Sequence, residues 1–267
     1  MIAEIPEIFF SLEQKRFRHI RAIFDSYSLP YRQHSDPDYR AHILLKYEHI
    51  ERVCQEMSGI SRYFNMSEEE QAFTQSIALL HDIGRFEQFD TYGTYADAQS
   101  ENHAAMAIRI IKETGLADEF DEIQFHLLER AILNHNLPVL DQHEDVQCRF
   151  YSGMMRDSDK LDIWRVTLQY NIFHTIKSED FPSTYKVPEK LLTCFREQRI
   201  IPLTQVDSFY DSILFRLSWV YDLNFPYTLQ EFNQREICPK LLAKLPPSSE
   251  LENITMLVND YIRQSLK

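Results

Sequence analysis

His81 and Asp82 stand side by side at the polar end of the apolar run IALLHDIGRF, and this pair is well suited to chemistry. A neutral imidazole and a carboxylate can both bind one divalent metal ion. Burying either group without a partner would cost on the order of several kcal/mol, so partners are expected. The candidate partners are His49, which precedes the pair, and His103, His135 and Asp159, which follow it.

The candidates fall on separate predicted helices, apart from the adjacent pair. A helical bundle can assemble an internal metal site from side chains on facing helices. Four histidines and two aspartates favour Mn, Fe, Co or Zn over Ca or Mg, and six ligands exceed one tetrahedral zinc site. Two metals that share the Asp82 carboxylate account for that number. A water between them would be the nucleophile, its pKa lowered from about 15.7 toward about 7.

Hydrophobic residues recur with a helical period along almost the whole chain. A capping box from Ser67 to Glu70 predicts the start of the third helix, and Gly84 predicts its end. Ser100 is the predicted cap of the fourth helix, and residues 86–99 are predicted to form an aromatic and acidic loop. The predicted helices cover about 7–28, 38–57, 67–82, 100–115, 118–136, 149–176, 189–199, 205–222, 228–244 and 249–265, with a turn-like segment over 178–190.

This pattern predicts an all-α protein. The sequence contains no linker-like, low-complexity or repeated segment, so we expect one domain over residues 1–267. Its core would cover about 38–176, and a helical extension would cover about 188–267. Inward-facing residues would include Ile8 and Leu44, and Trp164 and Trp219 imply that the C-terminal part packs onto the earlier helices.

Composition limits the classes of function. The formal net charge of −13 disfavours binding to long nucleic acids, and none of the common Gly-rich phosphate loops occurs. The four cysteines are widely spaced, which is typical of reduced and mostly buried thiols. With no recognisable signal peptide and no apolar run near the ~20 residues that span a bilayer, we expect a cytoplasmic protein without membrane partners.

Local sequence around the candidate ligands resembles the HD-domain metal-dependent phosphohydrolase superfamily. The resemblance rests on LLKYEHIERV, ALLHDIGRFEQF, ENHAAMAIRII, ILNHN and RDSDKLDI, and it covers about residues 42–165. The order H…HD…H…H…D is similar to that of the bimetallic subgroup. The C-terminal third carries no motif that we can assign.

The resemblance implies a role for each ligand. One metal would be held by His49, His81, Asp82 and Asp159, and the other by Asp82, His103 and His135. Asp157 is the rival of Asp159, but the family's aspartate precedes a basic residue and Leu, which selects Asp159. Asp82 would act in catalysis as the bridge between the metals. Two further candidate catalytic residues could hold a phosphate, namely Arg85, which could instead pair with Glu87 or Asp90, and Lys160, which could instead pair with an acid.

The function predicted from this resemblance is metal-dependent hydrolysis by a phosphatase or phosphodiesterase through a metal-activated water. The substrate would be a nucleotide or another small phosphorylated metabolite. Two alternatives remain open at this point. The same ligand set serves di-iron oxygenases that cleave C–C or C–P bonds, and a related domain can act as a non-catalytic sensor. The remaining histidines are expected to be ordinary surface or core residues: His19, His34, His42, His126, His143 and His174.

Overall fold

A computed structural model describes residues 1–2, 4–141, 143–169 and 184–267, and its regular elements are helices. These residues contain no strand, which confirms the all-α fold class. The α-helices are α1 (Gln14–Arg32), α2 (Pro37–Tyr63), α3 (Glu68–Leu80), α4 (Gly84–Tyr92), α5 (His103–Glu113), α6 (Glu122–His135), α7 (Val146–Gln169), α8 (Glu189–Arg196), α9 (Phe209–Ser218), α10 (Pro226–Gln234), α11 (Ile237–Leu242) and α12 (Ser249–Ser265).

Contacts within the chain group its residues into two compact units. The first unit comprises residues 2–159, and the second comprises residues 160–267 together with Met1. The boundary falls inside α7. The expectation of one domain with a core over 38–176 and an extension over 188–267 stays a prediction.

Side-chain caps fix where two helices of the first unit begin. The Ser67 hydroxyl accepts the amide of Glu70 at 3.2 Å, and the Glu70 carboxylate accepts the amide of Ser67 at 2.6 Å, so the predicted capping box is confirmed. The cap of α5 is Asn102 rather than Ser100. The Asn102 side chain accepts two amides of the first turn at 3.0 and 3.1 Å. The Ser100 hydroxyl instead accepts from Gln88 at 2.8 Å.

Helix α1 differs from its prediction at both ends. It begins at Gln14 rather than near residue 7, and it continues through Pro30 to Arg32. Ile8, which was expected to face inward, therefore lies outside the helix and is 73% exposed. Pro30 falls in the last turn of this helix. Its missing amide removes one backbone hydrogen bond close to the C-terminal end of the helix.

Helix α2 is longer than predicted, because it continues to Tyr63 instead of ending near residue 57. Its apolar face buries Ile43, Ile50 and Val53 completely. Leu44 was expected on that face, but it is exposed. The buried face also carries His49, so the helix that builds the core presents a metal-ligand type of side chain to the interior.

The pair formed by His81 and Asp82 lies in a turn between two helices rather than on a single helix. Helix α3 ends at Leu80, residues 81–83 form the turn, and Gly84 begins α4. The prediction that Gly84 ends the third helix was therefore wrong. The predicted loop over 86–99 was also wrong for its first half, since residues 86–92 belong to α4.

Gly84 is required because α4 and α5 approach each other closely at this point. A Cβ atom at position 84 would lie 2.4 Å from the carbonyl oxygen of His103 and 2.8 Å from the amide nitrogen of Ala107. A Cβ atom does not approach non-bonded backbone atoms that closely, so a larger residue would push the two helices apart. The glycine thereby brings the turn that carries Asp82 next to the start of α5.

The second unit is built around Trp164, which is completely buried. The indole N–H donates to the carbonyl oxygen of Arg216 at 2.8 Å, and the ring meets Phe232 with centroids 4.8 Å apart. The predicted helix over 228–244 is divided into α10 and α11, because Glu236 has a φ of 55°. Parts of two predictions, the helix over 149–176 and the turn over 178–190, lie outside the described residues.

All four cysteines are free and buried, as expected from their spacing. In the part of the chain that the structure describes, none of the helices has the length and apolar character needed to cross a membrane.

Candidate functional site

The Asp82 carboxylate lies between two pairs of histidines, one pair on each of its oxygens. Oδ2 is 3.7 Å from Nε2 of His49 and 3.7 Å from Nε2 of His81. Oδ1 is 3.5 Å from Nε2 of His103 and 3.8 Å from Nε2 of His135. Atoms that bind one metal ion at about 2.0–2.2 Å lie roughly 3–4 Å from each other, so each oxygen and its pair are spaced like ligands of a shared ion.

Asp159 joins this group from α7. Its Oδ1 lies 3.1 Å from Nε2 of His49, and its side chain is 16% exposed. The rival aspartate, Asp157, is fully buried. The structure thus brings together all six predicted ligands, which we call the Asp82 cluster: His49, His81, Asp82, His103, His135 and Asp159.

Hydrogen bonds on Nδ1 fix three of the four imidazole rings. Nδ1 of His81 and of His135 each lies against the backbone carbonyl oxygen three residues earlier, at 2.7 and 2.6 Å. Nδ1 of His103 lies 2.7 Å from a carboxylate oxygen of Asp97. Carbonyl and carboxylate oxygens only accept, so each Nδ1 donates, and each Nε2 is the ring atom that faces Asp82. Metal-binding histidines are oriented in this way.

Two of these Nε2 atoms face each other closely. Those of His103 and His135 are 2.9 Å apart, so a proton or a cation must separate their lone pairs. Burial lowers the pKa of His135 to about 3, which makes a proton on that ring costly. Moreover, Nε2 of His81 and Oδ1 of Asp82 are buried without a hydrogen-bond partner among the described residues. These acceptor atoms are therefore positioned to receive a cation or a hydrogen-bond donor.

Two cations already compensate the charge of Asp82. The ammonium of Lys46 is 3.2 Å from Oδ2, and Nε of Arg85 is 3.4 Å from Oδ1. Burial alone would raise the pKa of Asp82, but Lys46, together with His81 and Arg85, holds it well below its usual range. The pKa of Asp159 is also lowered, because the contact with His49 outweighs the effect of burial. Both carboxylates are therefore ionised.

Lys46 is a residue of the site that sequence reasoning missed. It precedes His49 by three positions on α2, so the two side chains share a helix face. The ammonium also lies 5.3 Å from the centre of the Tyr95 ring, and the side chain remains 21% exposed. Its spacing from His49 is a signal that could have identified it.

Asp97 is a second residue that the sequence did not reveal. It lies in a 3₁₀ turn, Asp97–Gln99, just before α5. Besides His103, its carboxylate accepts from Arg85 at 3.1 Å and from Gln88 at 2.8 Å. Burial would raise its pKa, but the hydrogen bond from His103 holds the pKa below the usual range. Asp97 therefore stays ionised and keeps the His103 ring in place.

The two predicted phosphate-binding cations have other partners. Arg85 pairs with Asp82 and Asp97, and its Nη1 also donates to the carbonyl oxygen of Tyr95 at 2.7 Å. Lys160 belongs to the second unit, where its ammonium is 2.7 Å from the carboxylate of Asp222. A role in binding phosphate stays a prediction for both residues.

Arg156 supports the end of α6, where His135 lies. This guanidinium is almost completely buried. It donates to the carbonyl oxygens of Asn134 at 3.0 Å, of Pro138 at 3.3 Å, and of Leu137. The last carbonyls of a helix have no partner within the helix, so Arg156 supplies what α6 lacks. The backbone around His135 is held from α7 as a result.

Comparison with known protein families gives one match. A family model described as the SidE phosphodiesterase (PDE) domain matches residues 39–206, which is more than half of the chain. The matched range contains the whole Asp82 cluster as well as Lys46 and Asp97. Among curated proteins and among solved structures, nothing matches the chain.

This match corrects the assignment to the HD-domain superfamily, which was wrong. That resemblance rested on a few residues around each ligand, and histidines with aspartates at helix ends can arise in unrelated helical proteins. The family model compares a continuous range of residues instead. The geometry of the Asp82 cluster does not depend on either assignment.

Proposed function

Because the chain belongs to the SidE phosphodiesterase domain family, we propose that the Asp82 cluster is the centre at which it hydrolyses a phosphodiester bond. The family match supports an enzyme that cleaves such bonds. The proposal rests on the placement of Asp82 inside the matched range, where each of its two oxygens faces one pair of histidines. The match also favours hydrolysis over the oxygenase and sensor alternatives.

We further propose that the cluster binds two divalent transition metals, drawn from Mn, Fe, Co and Zn. The donor atoms fit such ions, since imidazole nitrogens and carboxylate oxygens are ligands that these metals prefer. The fixed Nδ1 atoms and the unpartnered Nε2 of His81 support this fit. His49, His81 and Asp159 would hold one ion, His103 and His135 would hold the other, and Asp82 would contact both.

The residues around the cluster suit the charge of a phosphodiester. Bound metals would supply Lewis acidity and a water of lowered pKa. Lys46 is positioned to neutralise a phosphoryl oxygen, because its ammonium is beside Asp82 and its side chain is partly exposed. Arg85 keeps Asp82 and Asp97 in place through the ion pairs described above.

The substrate we propose is a small phosphodiester, such as a nucleotide derivative, rather than a long nucleic acid. A net charge of −13 repels a polyanion at long range. A small ligand with one or two phosphates faces a weaker repulsion, and the Lys46 ammonium would attract it locally.

The test is hydrolysis of bis(p-nitrophenyl) phosphate by the purified chain. We expect turnover that is lost in EDTA and restored by Mn²⁺ or Co²⁺, with slower release from the monoester p-nitrophenyl phosphate. An absence of turnover on this and on a panel of nucleotide diesters would contradict phosphodiesterase activity. Full turnover in EDTA would contradict the metal requirement, while the assignment as a phosphodiesterase would stand.

A further inference from the structure

Three metal-binding side chains meet outside the Asp82 cluster. They are His126, Asp145 and Cys148, and each offers one ligand atom within 4.8 Å of the other two. His126 projects from α6, Asp145 directly precedes α7, and Cys148 lies in the first turn of α7. We propose that these residues form a separate surface site for one divalent cation of the zinc type.

Distances within this group suit a shared ion. Sγ of Cys148 is 3.7 Å from Nε2 of His126. A zinc ion at about 2.3 Å from sulfur and about 2.0 Å from nitrogen, in tetrahedral geometry, separates those two atoms by about 3.5 Å. The carboxylate of Asp145 accepts the amide of Cys148 at 2.9 Å, which fixes the acid beside the thiol. Small adjustments of the side chains would complete the ligand set.

The chemistry of the three donors points to a borderline or soft metal. A thiolate with an imidazole selects zinc, cobalt or cadmium over magnesium and calcium, which prefer oxygen. His126 and Asp145 are exposed while Cys148 is buried, so an ion can enter from solvent and reach the sulfur. On binding, the S–H bond breaks, the proton leaves to solvent, and the sulfur keeps the electron pair that forms the bond to the metal.

The location gives this site a structural consequence. An ion held by His126 and Cys148 would tie α6 to α7, on either side of the segment 136–145 that follows His135. Capping of α7 explains Asp145 alone. The contact between His126 and the thiol is a separate interaction that joins the two helices at the atoms a cation would bind.

Cobalt provides a probe that distinguishes this site from the Asp82 cluster. Co²⁺ bound to a thiolate gives a near-ultraviolet charge-transfer band, whereas the six side chains of the Asp82 cluster offer nitrogen and oxygen. Titration of the metal-free chain with an excess of Co²⁺ should give this band with the intensity of one cobalt–thiolate site per chain. The band should disappear in Cys148→Ser and weaken in His126→Ala. It should be unchanged in His19→Ala, which removes another exposed histidine, and in Asp82→Asn.

The possible outcomes separate the two sites. Retention of phosphodiesterase activity in Cys148→Ser and His126→Ala, together with loss of the cobalt band, would support a second site that is independent of the reaction. A wild-type chain without the band would overturn the proposal, as would a band that persists in Cys148→Ser. If Cys148→Ser does not fold, an undiminished band in His126→Ala would overturn it as well. The cobalt band itself reports on His126 and Cys148 whether or not the Asp82 cluster is catalytic.

Discussion

The two sides of the Asp82 carboxylate differ in the position of the additional carboxylate that accompanies each pair of histidines. On the Oδ2 side, which comprises His49 and His81, a second carboxylate takes part directly, since Asp159 lies 3.1 Å from His49. On the Oδ1 side, which comprises His103 and His135, the additional carboxylate lies behind an imidazole ring, on the side away from Asp82. Asp97 contacts Nδ1 of His103, at 2.7 Å, and acts through that imidazole.

This difference predicts unequal metal sites. The Oδ2 side offers two histidines and two carboxylates, and more negative charge in direct contact means a tighter site for a divalent cation. The Oδ1 side offers two histidines and one carboxylate, which leaves coordination positions for water or a substrate. We therefore expect the Oδ2 side to bind structurally and the Oδ1 side to exchange its ion more readily.

The largest effect should come from Asp82→Asn, because Asp82 contacts both sides. We expect loss of both metals and a fall in turnover of about 1000-fold or more, which corresponds to about 4 kcal/mol of transition-state stabilisation. Metal analysis and hydrolysis of bis(p-nitrophenyl) phosphate measure the two effects. The exposed Asp118→Asn is the matched control. An Asp82→Asn protein that keeps two metals would remove the basis of the comparison.

Removing one histidine from each side should separate the sites. We expect His103→Ala to retain one tightly bound metal at the Oδ2 side, whereas His49→Ala should weaken that ion and retain only the more readily exchanged ion of the Oδ1 side. Both variants should lose activity by roughly 100-fold, the effect of losing one strong electrostatic contact. Calorimetric titration with Mn²⁺ gives the affinities. Equal affinities in the two variants would show that Asp159 does not distinguish the sides.

Asp97→Asn should give a smaller and one-sided effect. The amide keeps a hydrogen bond to His103 but loses the negative charge, so we expect a 10- to 100-fold weaker ion at the Oδ1 side, a usual range for such partners. Affinity at the Oδ2 side should not change. Asp90→Asn, which alters a carboxylate paired with Tyr39, serves as the control. A loss at both sides would mean that Asp97 supports the whole fold of the turn.

Gly84→Ala should have the smallest effect on binding and act through the backbone. The added methyl would press on His103 and Ala107, with a cost in unfolding free energy of about 1–3 kcal/mol. We expect weaker metal binding at the Oδ1 side. Gly93→Ala is the control, since its φ of 65° costs about 1 kcal/mol but nothing lies within 4 Å of the new Cβ. Denaturant unfolding would measure both, and equal costs would contradict the close-approach argument.

Much of the candidate site could be predicted from the sequence, because its ligands stand at positions that a helical pattern turns inward. His49 lies on the buried face of α2, and the choice of Asp159 over Asp157 agrees with the contact to His49. Lys46 could have been found from its spacing. Asp97 could not, because the path of its segment depends on hydrogen bonds to Gln88 that no local pattern encodes.

The fold shows the same limit. The presence of a helix can be predicted from the hydrophobic period and the capping residues, as at Ser67. A break inside an apolar stretch cannot be predicted in this way. Gly84 begins a helix at a point where α5 approaches closely, and Glu236 divides a predicted helix by adopting a left-handed conformation. At Gly84, close tertiary packing accompanies a helix start that local propensity does not predict. The family assignment failed for a related reason, since short motifs report local chemistry rather than the whole domain.

Arg156 has a consequence for the entropy of ligand binding. The end of a helix normally frays, and a ligand residue in the last turn would have to be ordered when the ion arrives. Here the guanidinium holds the carbonyls after α6 in place, so the ordering around His135 is completed when the chain folds. Binding of the proposed ion at that position would then involve little loss of backbone freedom, and the full attraction of the ligands would remain available for it.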